Sequence, residues 1–164
     1  MSRLLSLSIV ASAFGSAILG GFFLSWSNLV MPALARIPAI AGIAAMNATN
    51  EVVYNPLFFL LFMGVPLLGI FLAIQAAMNL NRAGSRAVIA GAVLIVFGMF
   101  AVTMFGNVPM NEALAALDPE SAAATEYWTV VLDRWTFWNH VRMLACLAAA
   151  ACFGLALNAQ SRTA

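Results

Sequence analysis

Few side chains in this sequence can do acid–base chemistry, and they gather in a few places. His140 is the sole histidine, the only side chain type whose ordinary pKa suits a base near neutrality. Glu51 and Glu112 each stand at the edge of a long apolar run. Around these three lie Trp26, Ser27 and Asn28, then Asn47, Asn50 and Asn55, then Thr103, Asn107 and Asn111, then Trp135, Asn139 and Arg142. A base can remove an activated proton, amides can donate to the oxyanion that forms, and an arginine can neutralise it. Polar groups inside apolar segments cost free energy and commonly line a cavity or pathway. The pattern therefore predicts a polar-ringed pocket between helices, at the outer end of the bundle and open toward the outside.

Helical geometry sorts the last group. At 100° per residue, Trp135, Asn139, Arg142 and Cys146 share one face, which predicts that Arg142 points into a bundle. His140 falls about 160° from Arg142 and leaves that face. Simpler roles compete. Tyr127, Trp128 and Trp138 suit interfacial anchoring. Asp118, Glu120 and Glu126 suit solvent. Cys146 and Cys152 stand about 240° apart on a helix, too far round to bridge, and read as small apolar fillers. No His/Cys pair has metal-ligand spacing, so no metal site is expected; a thioether and His140 site remains as a redox alternative.

The elements that must hold these residues follow from composition. Of 164 residues, 64% are hydrophobic and 8% charged, about a third of the charge that a soluble domain carries. A water-facing domain is excluded. Seven Arg, no Lys and six acids give a net charge of +1, with no footprint for nucleic acid. The charges divide the chain into apolar intervals, Arg3 to Arg36, Glu51 to Arg82, Arg86 to Glu112 and Arg142 to Arg162, each able to hold the ~20 residues that cross a bilayer core. We expect one transmembrane domain over residues 1–164, with spans near 5–30, 56–80, 87–105 and 138–157.

The fold class is all-α: an integral membrane, antiparallel four-helix bundle with a short amphipathic helix in the third loop. Asp118, Pro119 and Glu120 have the pattern of a cap, a first-turn proline and a first-turn acid for that helix. Small residues recur at helical spacing (Ser12, Ser16 and Gly20; Gly91 and Gly98; Ala145 and Ala149), as close helix packing in lipid requires. Gly64 and Pro66 predict a kink in span two. The doubly basic turn at Arg82 and Arg86, with Arg3 and Arg162, puts both termini in the cytoplasm of a bacterial inner or plasma membrane and the two longer loops outside. The first apolar run reaches Val30, past the length of a signal-peptide core, so it reads as a retained span.

Three segments carry a resemblance. They are Phe23 to Pro32 closing span one; Ala45 to Asn50 with Asn55 to Phe58; and Asn107 to Leu114 followed by Trp135, Asn139 and Arg142. Together they resemble a family of small four-helix membrane proteins related to the anthrone oxygenases of aromatic polyketide pathways. The resemblance implies oxygenation of an activated methylene of a flat phenolic substrate, with O₂ as co-substrate and no cofactor. In such a protein Asn28, Asn50, Asn111 and Asn139 would contact the substrate, with Arg142 neutralising its charge and Trp26 and Trp135 flanking its ring. The base would be His140, Glu112 or Glu51. The expected partners are the lipid bilayer, an aromatic small molecule and, in a homo-oligomer, further copies of the chain. The alternative is a non-enzymatic membrane protein that binds a lipid or partner subunit through its loops, with the polar cluster a solid plug and Arg142 paired to Glu112 or Glu51.

Overall fold

The computed structural model describes residues 3–162, so residues 1–2 and 163–164 of the expected domain lie outside it. Among the described residues there is no strand. Four helices are long and apolar enough to cross a membrane: Arg3–Leu34, Pro56–Ala77, Ser85–Ala115 and Ala122–Ser161, spans one to four below. They cover the four intervals predicted from the charges. Each packs against its sequence neighbours, and span four closes the ring against span one. The tight turn between spans two and three uses Gly84 at φ 85, where a Cβ would press on the Ala156 carbonyl at 2.7 Å. The bundle therefore has an end carrying the two longer loops and an end carrying this turn.

Small residues set the helix spacing. A Cβ on Gly20 would lie 2.9 Å from the Leu147 side chain of span four, and one on Gly98 would lie 2.6 Å from the Ala145 Cβ. Ser12 and Ser16 are fully buried on the same stripe as Gly20. Without water to drive helices together, such close approach supplies the packing energy. Span two meets span three around Gly69 and Ala92, near the turn end. Span two runs on through Pro66 as one helix.

Spans three and four continue as helix well past the expected boundaries, toward the loop end. The third-loop helix starts later than its sequence pattern suggests. The Asp118 carboxylate accepts the Glu120 N–H at 3.1 Å, and the cap is Ser121, whose Oγ accepts from the Ala124 N–H at 3.1 Å. Asp118 is thus spent on a local turn before the helix begins. The helix then continues from Ala122 without a break into span four. A shorter helix stands outside the four spans in the first loop, Ala39–Val52. Its Gly42 seats on the Trp128 ring, where a Cβ would come within 2.9 Å.

Two apolar cores result. The main one runs between the spans and includes Phe23, Phe62, Ile95, Met99 and Phe153. The second caps the loop end and joins Trp26, Ile43, Met46, Leu114, Trp128 and Trp135.

These contacts predict a clear asymmetry between two glycines. Gly98→Leu should destabilise the folded protein by about 1–3 kcal/mol, because neither helix backbone can withdraw cheaply. Gly64→Ala, with nothing within 4 Å of its Cβ position, should leave stability unchanged or raise it slightly. Thermal unfolding in detergent micelles checks both.

Candidate functional site

Between the two cores lies a cavity of about 390 Å³. Its walls are largely aromatic: Phe23, Trp26, Phe58, Phe62, Phe100 and Trp135. Its polar groups are Thr49, Asn50, Tyr54, Thr103, Asn107, Asn111, Asn139 and Arg142. All four spans and the loop helix contribute.

Arg142 is the centre of the polar set. It is 5% exposed, in the helix of span four. Its guanidinium carbon sits 4.4 Å from the Phe23 ring centroid and 5.1 Å from that of Trp135. Aromatic faces attract a cation electrostatically, more strongly where water is excluded. One terminal nitrogen donates to Asn139 Oδ1 at 2.6 Å and the other to Thr103 Oγ1 at 3.3 Å. Neither acceptor is a carboxylate, and Arg142 Nε is buried without a partner. The expected alternative partners, Glu51 and Glu112, are both exposed. A lone positive charge thus borders the cavity.

The neighbours of Arg142 are themselves held. The Asn139 amide donates to the Phe23 carbonyl at 2.7 Å and to Ser27 Oγ at 2.6 Å, tying span four to span one. The Thr103 hydroxyl donates to the Met99 carbonyl at 2.8 Å. Asn107 Nδ2 donates to the Trp135 carbonyl at 3.1 Å, tying span three to span four. Asn111 Nδ2 donates to Asn50 Oδ1 at 3.2 Å, tying span three to the loop helix. Asn50 Nδ2, Asn107 Oδ1 and Asn111 Oδ1 are buried without partners. In apolar surroundings such atoms are costly unless something fills them.

Local helix geometry places these groups. Four segments have π-helical turns: Trp26–Val30, Leu94–Ala101, Thr103–Asn107 and Val131–Trp135. Each contributes a cavity residue, namely Trp26, Phe100, Thr103 with Asn107, and Trp135. Two of them end just before a proline, at Pro32 and Pro109. Proline gives no N–H to the carbonyl four residues earlier and its ring crowds that carbonyl. A widened turn is one relief for such crowding, and π-turns concentrate at functional sites.

The structure brings together Trp26, Asn50, Asn111, Trp135, Asn139 and Arg142 from the sequence prediction. It leaves out Asn28, which is exposed and does not line the cavity. The three candidate bases His140, Glu112 and Glu51 are exposed and do not line the cavity. For His140 the cause is the angle already noted; the two glutamates lie on the solvent side of their helices. Trp26 and Trp135 do not flank an open slot. Their centroids are 5.5 Å apart, so they pack on each other as one wall. Thr103 and Asn107, named in the predicted polar ring but given no role there, also line the cavity. The signal is their four-residue spacing with Asn111 along one face of span three. Among the described residues no three His, Cys, Asp or Glu side chains group closely enough to hold a metal ion.

Asn139 should matter more than Asn111 to the fold. Asn139→Ala removes three buried contacts at once and should cost about 1–3 kcal/mol. Asn111→Ala removes one partly buried pair, for roughly 0.6 kcal/mol. Equilibrium unfolding of the two variants in mixed micelles ranks them, and equal losses would contradict this assignment.

A family model described as anthrone oxygenase matches residues 58–152. That stretch holds Thr103, Asn107, Asn111, Trp135, Asn139 and Arg142, and omits span one and the loop helix. No curated protein and no solved structure matches the chain. With more than half of its length matched by that description, the chain belongs to the anthrone oxygenase family.

Proposed function

We propose that the cavity binds a flat phenolic molecule with an activated methylene and that the protein oxygenates it with O₂. One observation carries this reading: a buried arginine without a carboxylate partner, facing an aromatic-walled cavity of about 390 Å³. That volume falls within the roughly 300–1,000 Å³ of small-molecule sites. A ligand-sized void also argues against a solid polar plug, and so against a purely structural role for the cluster.

The chemistry asks little of a base. An anthrone is the keto form of a phenol, and loss of either the C–H or the enol O–H proton gives the same anion. Arg142 lowers the free energy of that anion, because a fixed positive charge acts strongly where water is excluded. The proton leaves to solvent through the loop end, where the acids lie. The anion passes an electron to O₂, the two radicals combine at the methylene carbon, the peroxide anion takes a proton back from solvent, and the hydroperoxide loses water as the C–H proton and the O–O bond are given up and the carbonyl forms. The balance is one O₂ taken up, one methylene converted to a carbonyl and one water released. Asn50, Asn107 and Asn111 hold further oxygens on the substrate, and the aromatic walls take its faces.

Arg142→Met should lower the rate of anthrone oxidation under air by about a hundredfold, the size of losing one preorganised oxyanion donor. It should change the unfolding temperature little, because the desolvation penalty removed with the charge offsets the cost of leaving Asn139 Oδ1 without its donor. Product formation with oxygen uptake, run under air and under argon, measures the first; a thermal scan measures the second. Wild-type turnover by this variant would overturn the reading.

A further inference from the structure

The cavity has a neighbour. A second cavity of about 310 Å³ lies on the apolar outer surface of spans one and two, where Thr49, Val52, Val53 and Asn55 of the first loop meet them. The two share four wall residues: Phe22, Thr49, Val53 and Phe58. Phe22 and Phe58, with ring centroids 5.4 Å apart and planes tilted at 52°, form the span-one and span-two part of the wall between them, and Thr49 and Val53 of the first loop form the rest. Phe22 is 36% exposed, and the outer cavity continues onto Ile18 and Leu57, which are 55% and 70% exposed on the apolar surface. Phe58 is stacked on Phe62, but Phe22 stands at the surface, and a rotamer change of an exposed side chain, a motion of the ps–ns class, would open a passage beside Phe58.

The water-facing side is less welcoming. All six acids of the chain, Glu51, Glu112, Asp118, Glu120, Glu126 and Asp133, are exposed at the loop end, against Arg36 and Arg134 there. An anionic phenolate approaching from water meets this negative field. A neutral lipophilic phenol dissolved in the bilayer does not.

We infer that the ligand is a neutral, membrane-dissolved molecule that enters sideways from the hydrocarbon, between spans one and two, through the Phe22–Phe58 pair. The inference rests on the proposed reading of the inner cavity and adds its substrate class and route. The ligand crosses uncharged and meets Arg142 only after the rings close behind it. Ile18 and Leu57 line the approach and touch the outer cavity alone.

Association kinetics test this. The wild-type protein is placed in phosphatidylcholine vesicles under argon, and a dihydroxyanthrone is the probe, followed by quenching of tryptophan fluorescence. The association rate should follow the amount of probe per lipid and be indifferent to its free aqueous concentration. Ile18→Phe/Leu57→Phe should associate about fivefold more slowly or worse, within the spread seen for on-rates in related complexes, with dissociation slowed to match and affinity unchanged. Leu144→Phe, on the apolar surface of span four, should behave as wild type. A rate that tracks aqueous probe, or a double variant as fast as wild type, overturns the lateral route while the inner site stands. Absence of saturable binding by the wild type overturns the site itself and the route with it.

Discussion

A positive charge held inside an apolar bundle without a carboxylate partner is the constraint on which the loop end of this protein depends. In surroundings of low dielectric a lone guanidinium is expensive, and its cost is met only by many small terms. Here they are two aromatic faces, one amide oxygen and one hydroxyl. Each of these must in turn be fixed. Asn139 can present its oxygen to Arg142 only because its NH₂ group is taken by Phe23 and Ser27. Thr103 can accept only because its own proton goes to Met99. Spans one, three and four are thereby linked through a single side chain. Span two contributes no hydrogen bond to that set, only phenylalanines. The cavity opens where the polar linkage is missing.

The placement of those acceptors depends on departures from ideal helix. A carbonyl in a regular helix already accepts one N–H and offers the side chains of other helices only its second lone pair. The Trp135 carbonyl, which serves Asn107, closes one π-helical segment, and the Phe23 carbonyl, which serves Asn139, lies just ahead of another. Pro32 and Pro109 stand directly after two such segments. The prolines, the widened turns and the interhelical amides form one device. It lets polar side chains cross between helices at a depth where water cannot assist, and it aims Trp26, Thr103, Asn107 and Trp135 at one volume.

Much of this was legible in the residues, for physical reasons that differ by level. The spans could be read because charge is too costly in hydrocarbon to be scattered there, so the rare charges mark the boundaries. Arg142, Asn139 and Trp135 could be grouped because 100° per residue is a strong rule over two turns, and the same rule removed His140. The glycine and serine stripes marked the helix contacts because close approach tolerates nothing larger. The length of spans three and four was not legible, because continuation beyond the bilayer depends on packing against the loop helix, and Gly42 against Trp128 is a long-range fit. The π-turns were not legible either. Proline marks crowding, but bend and widened turn are alternative reliefs, and the neighbours choose between them. The phenylalanine walls were hidden for the opposite reason: in a chain so rich in apolar residues, Phe58, Phe62 and Phe100 look like any lipid-facing ring.

The arrangement also explains why the site sits between two cores. Near the turn end the main core closes tightly because small residues admit their neighbours, Gly69 meeting Ala92 and Gly91 seating the Phe153 ring. Toward the loop end the small residues of spans two and three give way to phenylalanines, which hold the helices apart. The second core, built on the loop helix and on Trp128, then covers part of the gap from the loop end. A fixed cation buried among aromatic side chains at the border of that gap acts more strongly on a bound charge than one on the surface would. The gap also cannot collapse around Arg142 without breaking the hydrogen bonds that make its burial tolerable. The same interactions that pay for the charge therefore keep the cavity open.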